Sequence, residues 1–232
     1  SVRPEIVDPE TTKLLLTTTV KYDANRTTKT SDTLKSEVLT TLTNYNTNTL
    51  SQFDSIFRYS KVTGLIDGTD TSILSNITTL KIRKDFTPTL ASSTKYSVYF
   101  RNALYNPHSG HNTSAGGILE SSGFKVSGDS STVFFLDDDG QGNVRRYSFS
   151  GATRVYANNT QGTIDYDTGA IILNSLSVLS VENIRGAAST KIELTVVPSS
   201  NDVVPVRDQI LEIDTANSSI TVSADTFVGG SS

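Results

Sequence analysis

Residues 32–57, DTLKSEVLTTLTNYNTNTLSQFDSIF, decide the fold. Leu34, Val38, Leu42, Tyr45, Leu50, Phe53 and Phe57 recur three to five residues apart, with Leu39 and Ile56 widening the stripe, so they line one side of an amphipathic helix. Unbroken, these 26 residues would run roughly 39 Å. Thr30 or Ser31 can accept the orphan amide hydrogen bonds at its start, and Asp32 suits the positive end of the helix dipole. Asn44 to Thr49 is the weak stretch, because Asn and Thr are poor helix formers, and a bend is expected there.

Such a stripe needs an apolar partner. The nearest runs are Leu14 to Tyr22 (LLLTTTVKY) and Ile77 to Ile82, both rich in β-branched residues, which predicts two strands with a helix laid across them. Ser60 starts a second short helix carrying Val62, Leu65 and Ile66, stopped by Asp67-Gly68. The expected organisation is α+β: a small two-strand-plus-helix unit over residues 1–90, with its helix at 32–57, then a mainly antiparallel β domain over 91–232, sandwich-like or barrel-like. In the second part Lys95 to Arg101 alternates as a half-buried strand. A polar loop, 102–122, precedes short strands from Phe124 onward. GTIDYDTGAIIL, residues 162–173, reads as a hairpin with Ile164 and Tyr166 facing inward.

Composition narrows the function. The apolar fraction is 35%, low for a globular protein, so the core is expected to be thin and completed by other chains. The net charge is −4 with no long basic run, which argues against nucleic acid as a partner. Cysteine is absent, excluding disulfides and thiolate chemistry. No stretch is apolar enough to cross a bilayer as a helix, so no membrane partner is expected. Methionine is absent too, and the chain reads as a fragment or processed product.

Few residues invite chemistry. Asp137 to Asn143, DDDGQGN, opens like a calcium loop but lacks its twelfth-position Glu and flanking helices, so a hairpin turn with self-capping Asp side chains is the preferred reading. His108 and His111 lie three apart in the polar loop without an HExxH pattern or an evident third ligand. No GxSxG elbow or phosphate loop occurs. No enzymatic activity, cofactor, metal or small-molecule substrate is therefore expected. Tyr suits interfaces because its ring buries area while its hydroxyl keeps a partner. The interface candidates are Leu34, Val38, Leu42, Tyr45, Phe53 and Phe57 on the helix, with Tyr99, Tyr105, His108 and His111 around the loop.

The Thr/Val strand Leu14 to Tyr22, the long helix, and YSKVTGLIDGTDTSILSNITTLKI (Tyr59 to Ile82) together resemble the C-terminal portion of the large baseplate wedge proteins of T-even contractile-tail phages, within the wider baseplate J-like family. The resemblance implies a virion subunit, assembled in the host cytoplasm. Such a subunit dimerises and joins other wedge proteins into a ring around the tail hub. It implies no catalytic residue and transfers no individual contact. The competing expectation is a carbohydrate-binding or adhesin-like β module of a viral or surface protein. A cleft lined by Tyr and carboxylates would favour it.

Overall fold

The computed structural model describes residues 10–108, 110, 116–206 and 209–226. In chain order its elements begin with β1 (Glu10–Tyr22), α1 (Ser31–Tyr45), a π-helical turn (Asn46–Leu50), α2 (Tyr59–Asp67), β2 (Ile73–Phe86) and β3 (Ser93–Tyr99). Then follow β4 (Glu120–Ser121), β5 (Phe124–Val126), β6 (Asp129–Asp138), β7 (Asn143–Ser150), β8 (Thr153–Asp165), β9 (Ala170–Val181), β10 (Ile192–Val196), β11 (Gln209–Ile213) and β12 (Ser219–Ala224). The chain forms two compact units, residues 1–81 with 201–232, and residues 82–200. The division differs from the expected 1–90 and 91–232 because the last two strands return to the first one.

In the first unit β1 lies beside β2, and its other edge is paired in parallel with both β11 and β12. Leu14 is opposite Ile213 and Thr17 opposite Ser219, so residues 209–224 act as one edge strand interrupted by a turn. The turn is stitched to β1: the Asp214 amide donates to the Leu14 carbonyl at 2.9 Å, and the Leu16 amide to Ser218 Oγ at 3.0 Å. Because strand side chains alternate between faces, Leu14, Leu16 and Val20 of β1 are all buried while Lys13, Leu15, Thr17 and Lys21 are more exposed. Lys13 bridges to Glu212 across the strands at 2.6 Å.

Helix α1 starts as the sequence predicts, with Thr30 Oγ1 accepting from the Thr33 amide at 3.2 Å. The expected helix over 32–57 is corrected: it ends at Tyr45, and Asn46–Leu50 widens into the π turn. A run of Asn and Thr gives the α form little local support, and Asn46 is drawn elsewhere, its Oδ1 accepting the Ile213 amide of β11 at 2.7 Å. Helix α1 packs on β12 and α2, and the π turn on β11. Full burial of Leu34, Val38 and Leu42 stabilises the unit by roughly 1.5–3 kcal/mol for each side chain.

In the second unit β2 ends against β10, which also pairs with β4, all antiparallel. Strands β5, β6, β7, β8 and β9 pair in turn, and β9 pairs back with β5, closing a five-stranded barrel with β3 added on β9. The long strand β9 makes closure possible, its Ala170–Leu173 half meeting β8 and its Val178–Val181 half meeting β5. Phe124, Leu136, Val144, Ile164, Ile171, Leu173 and Val178 are buried within this unit. The expected α+β class with a barrel-like β part holds. Within the expected loop 102–122, Glu120–Ser121 is a strand. Tyr166 stands in the hairpin turn rather than on the arm, half-buried, while Ile164 is buried as expected.

Two outcomes follow. Leu42→Ala should destabilise the isolated chain by about 2–5 kcal/mol in urea unfolding, since Leu42 is packed by its own chain. Asp129, the first residue of β6, accepts the Thr132 amide and then bonds from Thr132 and Ser131, which lower its carboxyl to about 2. A depressed folded value means the contribution is full above about pH 4, the ordinary unfolded range, and is lost as pH falls toward about 2. The melting-temperature gap between wild type and Asp129→Ala should therefore narrow across that window.

Candidate functional site

The helical interface candidates separate into two groups. Leu34, Val38, Leu42 and Phe57 are fully buried and Tyr45 nearly so, which corrects their assignment to an assembly surface. They are the core of the first unit, covered by the returning C-terminal strands and by α2. Phe53 is the exception at 62% exposed. The helix has ended before it, and Asp54 turns the chain with φ of 62°. Tyr99, Tyr105 and His108 are exposed, and His111 lies outside the described residues.

Next to Phe53 the chain forms a small antiparallel bridge. Phe57 and Val203 exchange both backbone hydrogen bonds at 3.0 Å, with both side chains buried. Their neighbours Ile56 and Val204 point the opposite way and are 37% and 49% exposed. With Phe53 and Val206 they are the exposed apolar side chains of these two paired segments, and Arg58 and Asp202 form a rim ion pair at 2.8 Å.

The DDDG cluster has a different role from the one expected of three self-capping carboxylates. Asp139 does cap its own turn, accepting from the Gln141 amide at 2.8 Å and from Asn143. Burial pushes its carboxyl up, but those hydrogen bonds outweigh burial and hold it below its usual range. Asp137 and Asp138 are fully buried. Asp137 takes Arg145 through both carboxylate oxygens at 2.9 and 3.1 Å, and its Oδ2 also accepts from Arg154 at 2.6 Å and the Tyr156 hydroxyl at 2.9 Å. Asp138 accepts the Leu119 amide at 2.8 Å and the Tyr166 hydroxyl at 2.6 Å. Burial, then the bond to Asp138, raise Tyr166 well above its ordinary range.

Glycine closes the chain over this cluster. A Cβ at Gly117 would stand 1.7 Å from Asp138 Oδ1, and one at Gly116 would stand 1.6 Å from Arg154 Nη1. The paired carboxylates are thus spent on arginines, tyrosines and an amide. Among the described residues no group of His, Asp or Glu is arranged to hold a metal. None of the described helices is long and apolar enough to cross a membrane. Sequence reasoning found the cluster but not its partners, because Arg154, Tyr156 and Tyr166 reach it only through the pairing of β6 with β7 and β7 with β8.

One open cleft of about 480 Å3 lies in the second unit, lined by Leu104, Asn106, Gln141, Ile164, Tyr166 and Asp167 among others. Asp165 at its edge is held low by the Thr168 side chain and then by the Thr168 and Asp167 amides. Asp137→Ala should destabilise the chain by about 3–5 kcal/mol in chemical denaturation, since it strands two arginines. Asp139→Ala should cost about 1 kcal/mol.

Comparison with protein families matches residues 14–85 to the description "baseplate structural protein gp6, C-terminal domain III". A search of curated proteins finds no match. The matched stretch runs from within β1 through α1, the π turn and α2 almost to the end of β2, the same order of elements on which the sequence resemblance rests. Over residues 14–85, less than a third of the chain, the protein is therefore similar to the C-terminal domain III of the baseplate structural protein gp6, a likeness that supports a structural role in the phage tail baseplate.

Proposed function

We propose that the chain is a wedge-type subunit of a contractile tail that dimerises and links neighbouring wedge proteins into a ring around the hub, assembling in the host cytoplasm. It acts through contacts rather than chemistry, without cofactor, nucleic acid, membrane or small-molecule substrate. The observation that carries this reading is the exposed set Phe53, Ile56, Val204 and Val206 on two bridged segments, rimmed by the Arg58–Asp202 pair. Apolar side chains bordered by charge have the anatomy of a protein–protein contact. Tyr99 and Tyr105 supply further exposed aromatics. His108 and His111 are secondary candidates beside them.

A second reading draws on the 480 Å3 cleft. Tyr166, Asp165, Asp167, Asn106 and Gln141 line it with the mixture of ring, carboxylate and amide that holds a sugar, as in a carbohydrate-binding or adhesin-like module. Light scattering over a concentration series separates the two. The wild-type mass should rise toward a dimer with concentration, and the double substitution Phe53→Asp with Val204→Asp should hold the chain monomeric while its circular dichroism is unchanged. A wild-type chain that stays monomeric throughout, yet gives saturable shifts with a neutral trisaccharide such as maltotriose, would reverse the order.

A further inference from the structure

Arginines on adjacent positions of β7 meet opposite fates. Arg145 is neutralised by Asp137 on one side of the strand. Arg146, pointing to the other side, is half-buried, and its Nε is buried without a hydrogen-bond partner. Its guanidinium lies over the Phe134 ring, 5.0 Å from the centroid, and among the described residues the ion pairs to Asp137 go to Arg145 and Arg154, none to Arg146. Burial alone lowers its pKa below the usual arginine range.

The strand geometry places this side chain deliberately. Pairing between β7 and β8 slips on both sides of Arg146, which is opposite Asn158 where regular pairing would set a residue two positions further on. Bulges re-aim side chains. Asn158 cannot serve as the missing acceptor, because its Oδ1 takes the Thr160 amide at 2.9 Å and its Nδ2 donates to Gln161. Across the other edge the opposite residue is Leu136. Two residues along the same face, Ser148 is opposite Val155, an apolar side chain 49% exposed.

We propose that Arg146 is a receptor for a carboxylate presented by a neighbouring protein chain. A half-buried cation without its anion destabilises a lone chain, and a planar fork over an aromatic ring is the arrangement that captures a carboxylate with two parallel hydrogen bonds. Phosphate is disfavoured, since it carries close to two charges and the cross-strand neighbours Leu136 and Asn158 offer no second cation. The exposed Val155 beside the site fits a protein surface that excludes water around the pair. The source of the carboxylate rests on the assembly role above, whereas its capture is a property of this chain.

Nitrogen-15 spectra of the isolated chain test it, following the Arg146 Nε–H resonance during titration with tetraglutamate, phosphate or chloride at matched ionic strength. Tetraglutamate should give a saturable shift that chloride does not. Arg146→Lys, which keeps the charge and loses the fork, should weaken it at least tenfold. Arg146→Met should abolish the saturable shifts of neighbouring amides while raising the melting temperature by about 2–4 °C. A response to phosphate but not to tetraglutamate would overturn the carboxylate assignment. So would a tetraglutamate response no larger than chloride's, or one that survives in Arg146→Met. A chain that dimerises yet ignores tetraglutamate would sink the receptor and leave the assembly role standing.

Discussion

The first unit depends on a strand that arrives late. Strand β1 has two edges to satisfy, and β2 occupies one of them. The other is filled by β11 and β12 in parallel, nearly two hundred residues further on. Without that return the β1 edge would present unpaired amides and carbonyls. The π turn would lose the Ile213 amide that Asn46 accepts, and α1 would lose β12, one of the elements it packs on. The parallel pairing is thus the step that converts an amphipathic helix into a buried one. Because loop-closure entropy rises only slowly with loop length, tethering the two strands through the whole second unit adds little to what closing a shorter loop would cost.

The second unit solves a different problem. A barrel removes sheet edges by closing on itself, and the pairing of β6, β7 and β8 brings the side chains of three strands together. Arginines from β7 and β8 and a tyrosine from β8 converge on Asp137 of β6. Removing those charges from water is unfavourable unless each finds a partner, and here Asp137 finds three. Arg146, one residue from Arg145, is the contrast: the same residue type on the same strand, left without an anion among the described residues.

The likeness of residues 14–85 to a baseplate structural domain gives these features a context in an assembly protein. The chain buries the described cores with its own residues, and the large apolar side chains left exposed include Phe53, Val204, Tyr99 and Tyr105.

Local features were legible in the sequence. The Thr30 cap, the stripe from Leu34 to Tyr45, the short helix stopped at Gly68, the strands around Phe124, Phe135 and Tyr147, and the self-capped turn at Asp139 all follow from spacing and propensity, which act over a few residues. The order of strand, long helix, short helix and strand carried the family resemblance for the same reason. What the sequence could not reveal were relations between residues far apart along the chain. It left the buried stripe looking like an open surface, because the strands that cover it lie beyond residue 208. It left Asp137 and Asp138 looking like a solvent-facing turn, because Arg145, Arg154, Tyr156 and Tyr166 meet them only once β6, β7 and β8 pair in register. It gave Arg146 no distinction from Arg145, because which of two neighbouring arginines finds a carboxylate is settled by strand register and bulges, and those depend on the whole sheet.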